Sequence, residues 1–194
     1  KYVQLSDPQA VMLWQRSLCE KLGLKGRILI GTEGINGTVG GSERSIRCYV
    51  SEMKTYAPFK NIDFKFSLCA QEPFPHLKVK VRKEIVALGI DPEKLTAAQG
   101  GKHLSPKQVH ELLQNKPNDL VILDTRNECE VAIGKFEGAI DPKIQHFREF
   151  PKYIDDNLEL FKDKQVLMYC TGGIRCERAT AVLNVKNVAK EVYQ

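Results

Sequence analysis

The 194-residue chain has no apolar run long enough to cross a bilayer, no CxxC pair and no cysteine–histidine spacing of a zinc site. The first absence argues against a helical membrane protein, the second against a thioredoxin-type redox motif, the third against a zinc-stapled fold. Only four histidines occur, His76, His103, His110 and His146, and they share no ligand spacing. No glycine-rich nucleotide or flavin fingerprint is present, so neither a metal nor a bound organic cofactor is expected. No signal or transit segment is visible at Lys1-Tyr2-Val3. Cys19, Cys48, Cys69, Cys129, Cys170 and Cys176 are scattered rather than patterned. They predict a reduced, intracellular and cytoplasmic protein, with Cys19 and Cys69 as packing residues.

What is present reads as globular: 42% of residues are hydrophobic and 27% charged. The net charge of +5 is uneven. Residues 1–104 carry 16 Lys and Arg against 10 Asp and Glu; residues 105–194 carry 13 against 14. A positive field therefore belongs to the N-terminal half, the side expected to meet a polyanion.

The first half predicts a small α+β unit. Val11, Leu13, Trp14, Leu18 and Leu22 form a helical stripe ended by Gly23. A strand follows over 27–30, then turn chemistry at Asn36-Gly37 and a helix from Ser42 to about residue 56. Ile62, Phe64, Phe66 and Leu68 alternate as on a half-buried strand. The order β-α-β-β-α-β is that of ferredoxin-like and acylphosphatase-like folds. In residues 77–83 apolar and cationic residues alternate, which makes one strand face basic. Lys78, Lys80, Arg82 and Lys83 are either a solvated face or contacts to an RNA backbone. The unit is expected to end near residue 89, with a linker over 90–104.

The second half alternates helix and strand: a helix from Pro106, capped by Ser105; a strand over 120–124; helical residues 147–160; a strand over 166–169; a helix over 176–184; and a last strand at 190–193. This predicts a parallel, doubly wound α/β domain, in which ligands bind at the carboxyl ends of strands. Asp124 and Cys170 both fall there.

Cys170-Thr171-Gly172-Gly173-Ile174-Arg175 links a strand to a helix N-terminus. Unpaired N–H groups converge at such a junction, the helix dipole favours negative charge, and two glycines let the loop curl into an anion nest. A thiolate held there has a lowered pKa and serves as a nucleophile or sulfur acceptor. Two readings of Arg175 stand: it binds an anionic group, or it braces the loop. Cys176 either resolves an oxidised Cys170 or is a buried packing thiol. Asp124 and Arg126 either act on substrate or form a structural ion pair.

Cys170 with Arg175 five positions later, and Asp124-Thr125-Arg126 closing an earlier strand, resemble the rhodanese family. Residues 25–30, 33–38, 77–80, 83–86, 124–127, 147–151 and 170–177 further resemble one subfamily, the rhodanese-domain tRNA uridine hydroxylases. The resemblance implies an acylphosphatase-like domain followed by a rhodanese domain that would continue past Gln194 through a Gly-Gly turn and a helix. It implies oxygen-dependent formation of 5-hydroxyuridine at the tRNA wobble position, with molecular oxygen as co-substrate, tRNA as partner and Cys170 as the catalytic residue. The arginine of cysteine phosphatases lies one residue further on, where Cys176 stands. A sulfurtransferase carrying a persulfide on Cys170, fed by a small sulfur donor, uses the same cradle. A non-catalytic binding module is a third reading.

Overall fold

The computed structural model describes residues 1–194, which divide into two units, Lys1–Ile85 and Val86–Gln194. In the first unit the Asp7 carboxylate accepts from Ala10 N at 2.9 Å and, with Pro8 at the first helical position, starts helix α1, Pro8–Lys21. Strands β1, Lys25–Gly31, and β2, Gly34–Gly40, form an antiparallel hairpin. Helix α2, Glu43–Thr55, begins at Ser42, whose hydroxyl accepts from Ser45 N at 3.2 Å. Strand β3, Leu77–Val81, runs parallel to β1, giving a mixed sheet in the order β2-β1-β3.

Alternation decides the faces. Ile28, Ile30, Ile35 and Val79 point into a core shared with Val11, Met12 and Cys19 of α1 and Tyr49 and Met53 of α2. Burying each such side chain contributes about 1.5–3 kcal/mol, which fixes the register of all three strands. Within this core the Tyr49 hydroxyl donates to Gln15 Oε1 at 2.6 Å, so the polar pair is buried without loss.

Three expectations for this unit are corrected. Residues 62–69 form no strand; Phe66 is 70% exposed and Leu68 fully so. Their alternation is real, and Ile62 and Phe64 pack against the core, but the segment makes no backbone ladder with the sheet. The first strand of the expected order shrinks to a bridge between Tyr2 and Gly34, fastened by Val3 N to Glu33 O and Leu5 N to Thr32 O. Cys69 is exposed, not packed, whereas Cys19 is buried.

In the second unit helix α3, Pro106–Asn115, starts in a capping box between Ser105 and Gln108. Strands β4, Leu120–Asp124, β5, Gln165–Tyr169, and β6, Glu191–Tyr193, form a parallel sheet in the order β4-β5-β6. A parallel bridge from Leu123 to Ile140 extends one edge, and one from Tyr193 to Lys102 extends the other. Helices α4, Glu128–Val131, and α5, Phe150–Asp156, are short, and 3₁₀ turns flank α5 where one continuous helix was expected. Helix α6, Ile174–Asn184, begins two residues earlier than its apolar pattern indicates and is buried along most of its length.

The segment expected as a linker, 90–104, belongs to the second unit. Arg178 on α6 is fully buried, and its Nη2 donates to Ile90 O at 2.6 Å and Leu95 O at 3.3 Å. Asn184 Nδ2 donates to Gln99 O at 2.9 Å, and the Thr180 hydroxyl accepts from Gly101 N at 2.8 Å. Proline and glycine here serve an edge laid along α6 and β6 rather than free chain. No helix in the protein is long and apolar enough to cross a membrane.

Gly26 illustrates how closely the hairpin strands approach. Its φ is +146°, and a Cβ there would sit 2.2 Å from Thr38 O. Gly23 has φ +64° but open space around it. Gly26→Ala is therefore expected to destabilise the protein by several kcal/mol through strain plus clash, and Gly23→Ala by about 1 kcal/mol through strain alone. Urea unfolding of the two variants checks this; equal costs would show that the hairpin yields freely at Gly26.

Candidate active site

Strand β5 ends at Tyr169, and the chain then turns through Cys170, Thr171, Gly172 and Gly173 into α6. The turn depends on Gly173, which caps α6 in the left-handed region at φ +82°. Its N–H donates to Cys170 Sγ at 3.0 Å. The Cys176 thiol, one and a half turns along, also donates to that sulfur and is the largest cause of a Cys170 pKa brought down to about 5. Partial burial opposes this, while the backbone N–H groups of Arg175 and Gly172 and the charge of Arg175 reinforce it. Cys176 is the mirror image: donation to the thiolate and full burial hold its own pKa well above the ordinary thiol value. At neutral pH the site therefore holds one proton on two sulfurs, on Cys176, with Cys170 ionised and half-exposed.

Glu130, which the sequence reading passed over, organises the loop. Its carboxylate takes both arms of Arg175, Nη1 at 2.7 Å and Nη2 at 2.6 Å, and also accepts from the Thr171 hydroxyl at 2.8 Å. Arg175 pulls the Glu130 pKa down to about 2. Asn127 N donates back to Glu130 Oε2 at 3.2 Å, so the carboxylate also caps α4. Of the two readings of Arg175, this geometry supports the brace: the guanidinium spans α4 and α6, and it also bonds Cys170 and lends the thiolate its charge. The signal that could have found Glu130 is the Asn127-x-x-Glu130 spacing of a capping box.

Asp124 and Arg126 form a structural pair. Asp124 is fully buried at the end of β4, and Arg126 meets it with Nε at 2.9 Å and Nη2 at 2.6 Å. Arg126 Nη2 also donates to Gly134 O at 2.6 Å, which ties the following loop to the sheet. Phe136 in that loop stacks on Tyr169 with ring centroids 4.3 Å apart, and its N–H donates to the Tyr169 hydroxyl at 3.0 Å. Thr125 Oγ1 donates to Tyr169 O at 3.0 Å and lies 3.7 Å from Cys176 Sγ. The strand ends of β4 and β5 thus converge on the thiol pair as the parallel topology requires.

Thr171, Gly172, Gly173, Ile174, Arg175 and Cys176 form the Cys170 loop and helix start, while Asp124 and Arg126 pair with each other at the end of the adjacent strand and contact Gly134 and Tyr169 rather than Cys170. Lys78, Lys80 and Arg82 are exposed in the first unit, on or just past β3, and share one parity of the strand. Lys83 is exposed too but falls outside that alternation.

A mixed sheet backed by two helices, then a parallel sheet with a cysteine loop at a helix N-terminus, define a protein of acylphosphatase-like plus rhodanese-like architecture. Comparison with known families agrees. Residues 1–85 match the UPF0176 acylphosphatase-like domain, and residues 105–193 match the rhodanese-like domain. Proteins named tRNA uridine(34) hydroxylase are similar over the whole chain. The one from Corynebacterium aurimucosum is 46% identical, with 64% of its length covered. That from Corynebacterium diphtheriae is 44% identical, also with 64% covered. That from Kocuria rhizophila is 41% identical, with 67% covered. The chain belongs to this family of rhodanese-domain proteins and spans about two thirds of the length of these relatives.

Two outcomes test the site. Iodoacetamide should alkylate Cys170 at a rate that rises as pH passes through about 5 and is level by neutrality, while Cys176→Ala shifts this profile to higher pH and Cys176→Ser shifts it less. An unmoved profile would mean that the backbone amides alone hold the thiolate. The Glu130 carboxylate has its folded-state pKa depressed, so its contribution to stability is present above its unfolded pKa and lost as pH falls through about 2. The stability gap between the protein and Glu130→Gln should therefore close between about pH 4 and pH 2 in acid titrations of unfolding.

Proposed function

We propose that this protein modifies tRNA, hydroxylating uridine at the wobble position with molecular oxygen as co-substrate. The observation that carries this reading is the thiolate of Cys170, ionised at neutral pH and half-exposed at a strand-end site, in a chain whose relatives are named for that reaction. A uridine base splayed out of the anticodon loop is the form that such a site can reach, because chemistry on a base requires removing it from its stack.

In the proposed step the Cys170 Sγ electron pair forms a bond to C6 of the uracil ring, and the C5–C6 π pair moves toward C5 and the O4 carbonyl. C5 becomes nucleophilic and takes one oxygen atom of molecular oxygen. The other oxygen leaves as water, with two electrons and two protons from an external thiol reductant. Loss of the C5 proton then expels the thiolate and restores the C5–C6 double bond. Cys176, its proton held on sulfur beside Cys170, keeps the nucleophile ionised between turnovers. Glu130 and Arg175 hold the loop so that the thiolate does not turn inward.

Nucleoside mass spectrometry of tRNA tests this reading. Cells lacking the protein should lose 5-hydroxyuridine and its derivatives, and the full-length protein should restore them where Cys170→Ser does not. A thiosulfate-derived persulfide on Cys170 that cyanide removes, with tRNA nucleosides unchanged, would overturn the hydroxylase reading in favour of sulfur transfer.

A further inference from the structure

The sheet of the first unit has a second face, which its helices leave uncovered. Residues alternate through a strand, so those that do not join Ile28, Ile30 and Val79 in the core point the other way. On β1 these are Lys25, Arg27 and Leu29; on β3 they are Lys78 and Lys80; on β2 they are Asn36, Thr38 and Gly40. The register brings the cations together. Arg27 pairs with Lys78 across the parallel ladder and with Thr38 across the antiparallel one, while Lys80 lies opposite Leu29. Arg82 continues the row, because its N–H donates to Ile30 O at 2.8 Å and so prolongs the ladder one step beyond the strand.

Three properties separate this face from an ordinary solvated one. First, β1, β2 and β3 contain no Asp or Glu at all. Ordinary surfaces intersperse the two signs. Second, Arg27, Lys78, Lys80 and Arg82 are all exposed and none of them makes an ion pair; Lys25 alone is partnered, by Glu72 at 2.5 Å. Third, the cations are ordered. Lys78, Lys80 and Arg82 follow one another at about 6.7 Å along one line, and Arg27 stands about 4.8 Å to the side. Thr38 adds an exposed neutral hydrogen-bonding group, while the Asn36 amide is engaged with Ile85 O at 3.0 Å and Leu29 is half-buried opposite Lys80. Like charges held this close repel one another, so the face costs the free protein stability that only an opposite charge recovers.

From this juxtaposition we propose that the open face of the β2-β1-β3 sheet binds the sugar–phosphate backbone of RNA, with Arg27 as a contact equal to the β3 cations. The proposal rests on the tRNA reading above and adds to it the surface and the residues that hold the substrate. A row of cations with no carboxylate among them matches a polyanion of regular charge spacing. It carries no means of reading base identity, so its contribution is affinity and orientation rather than sequence choice.

The test is the salt dependence of unfractionated tRNA binding by the full chain. Replacing Arg27, Lys78, Lys80 and Arg82 together by Ser should shallow the slope of log affinity against log salt by about three units, since each phosphate contact contributes about 0.7–0.9. Arg27→Ser alone should account for about one unit of that and Arg27→Lys for almost none. Replacing Lys21, Arg44, Lys54 and Lys60, four exposed cations elsewhere on the same unit, should leave the slope in place. The Cys170 alkylation rate, read in every variant, shows that the second unit remains folded. An unchanged slope in the first variant, or an equal loss in the control variant, overturns the proposal. So does tRNA binding that survives while binding to phosphatidylserine vesicles is lost, since the face would then serve a lipid surface. If tRNA in cells lacking the protein keeps its 5-hydroxyuridine while the purified chain still binds tRNA through this face, the hydroxylase reading falls and the RNA-binding face stands.

Discussion

The bidentate pair between Arg175 and Glu130 is the contact on which the reactive end of the second unit depends. Strand β4 leads into α4 and strand β5 leads into α6, and nothing in a parallel sheet by itself fixes the distance between two such crossover starts. The pair fixes it. One carboxylate receives two N–H bonds from α6 and one hydroxyl bond from Thr171, while it caps the helix that carries it. Charge-assisted, forked bonds of this kind are short and directional, so they transmit position as well as attraction. Cys170 inherits from this a fixed cradle of amides, with the Arg175 guanidinium also touching its sulfur.

That arrangement separates two tasks that one arginine is often asked to perform. Because Glu130 neutralises Arg175, the positive charge near Cys170 is a steady background rather than a mobile ligand. The main stabilisation of the thiolate comes from Cys176, a neutral donor in a buried position. A thiol donor gives the sulfur a hydrogen bond without adding a charge of its own. This is compatible with the flat, uncharged pyrimidine ring of the proposed substrate.

The first unit solves a different problem. Its sheet buries one face against two helices, while the other meets Pro73 and Phe74 at Gly40 and Ile85 at Gly31 and Asn36. The charged residues on that other face are all of one sign. A cationic face resists edge and face association with further copies of the same protein, since like charges meet, and its sign matches the polyanion proposed for it. The apolar core and the exposed cations thus lie on opposite sides of the same three strands, through the two-residue period of the β-strand.

Much of this was legible in the sequence. The α+β-then-α/β order, the positions of most strands and helices, and Cys170 at a strand-to-helix turn all follow from local pattern: apolar period, caps and glycine placement depend on neighbours within a turn or two. The basic parity of residues 78–82 is equally local. What failed, failed for tertiary reasons. Residues 62–69 alternate like a strand, but a strand exists only where its backbone bonds to another, and this segment pairs with none. Residues 90–104 look like a linker until Arg178, more than eighty residues away, donates to their carbonyls. Glu130 was invisible as a brace because its partner lies 45 residues on, and Arg27 was invisible as part of the cationic face because only the parallel register sets it beside Lys78. The sequence by itself determined which segments fold, which cysteine opens a helix and where positive charge resides. Tertiary structure decided which charges neutralise one another and which remain free, because ion pairs and strand registers join residues that no local pattern connects.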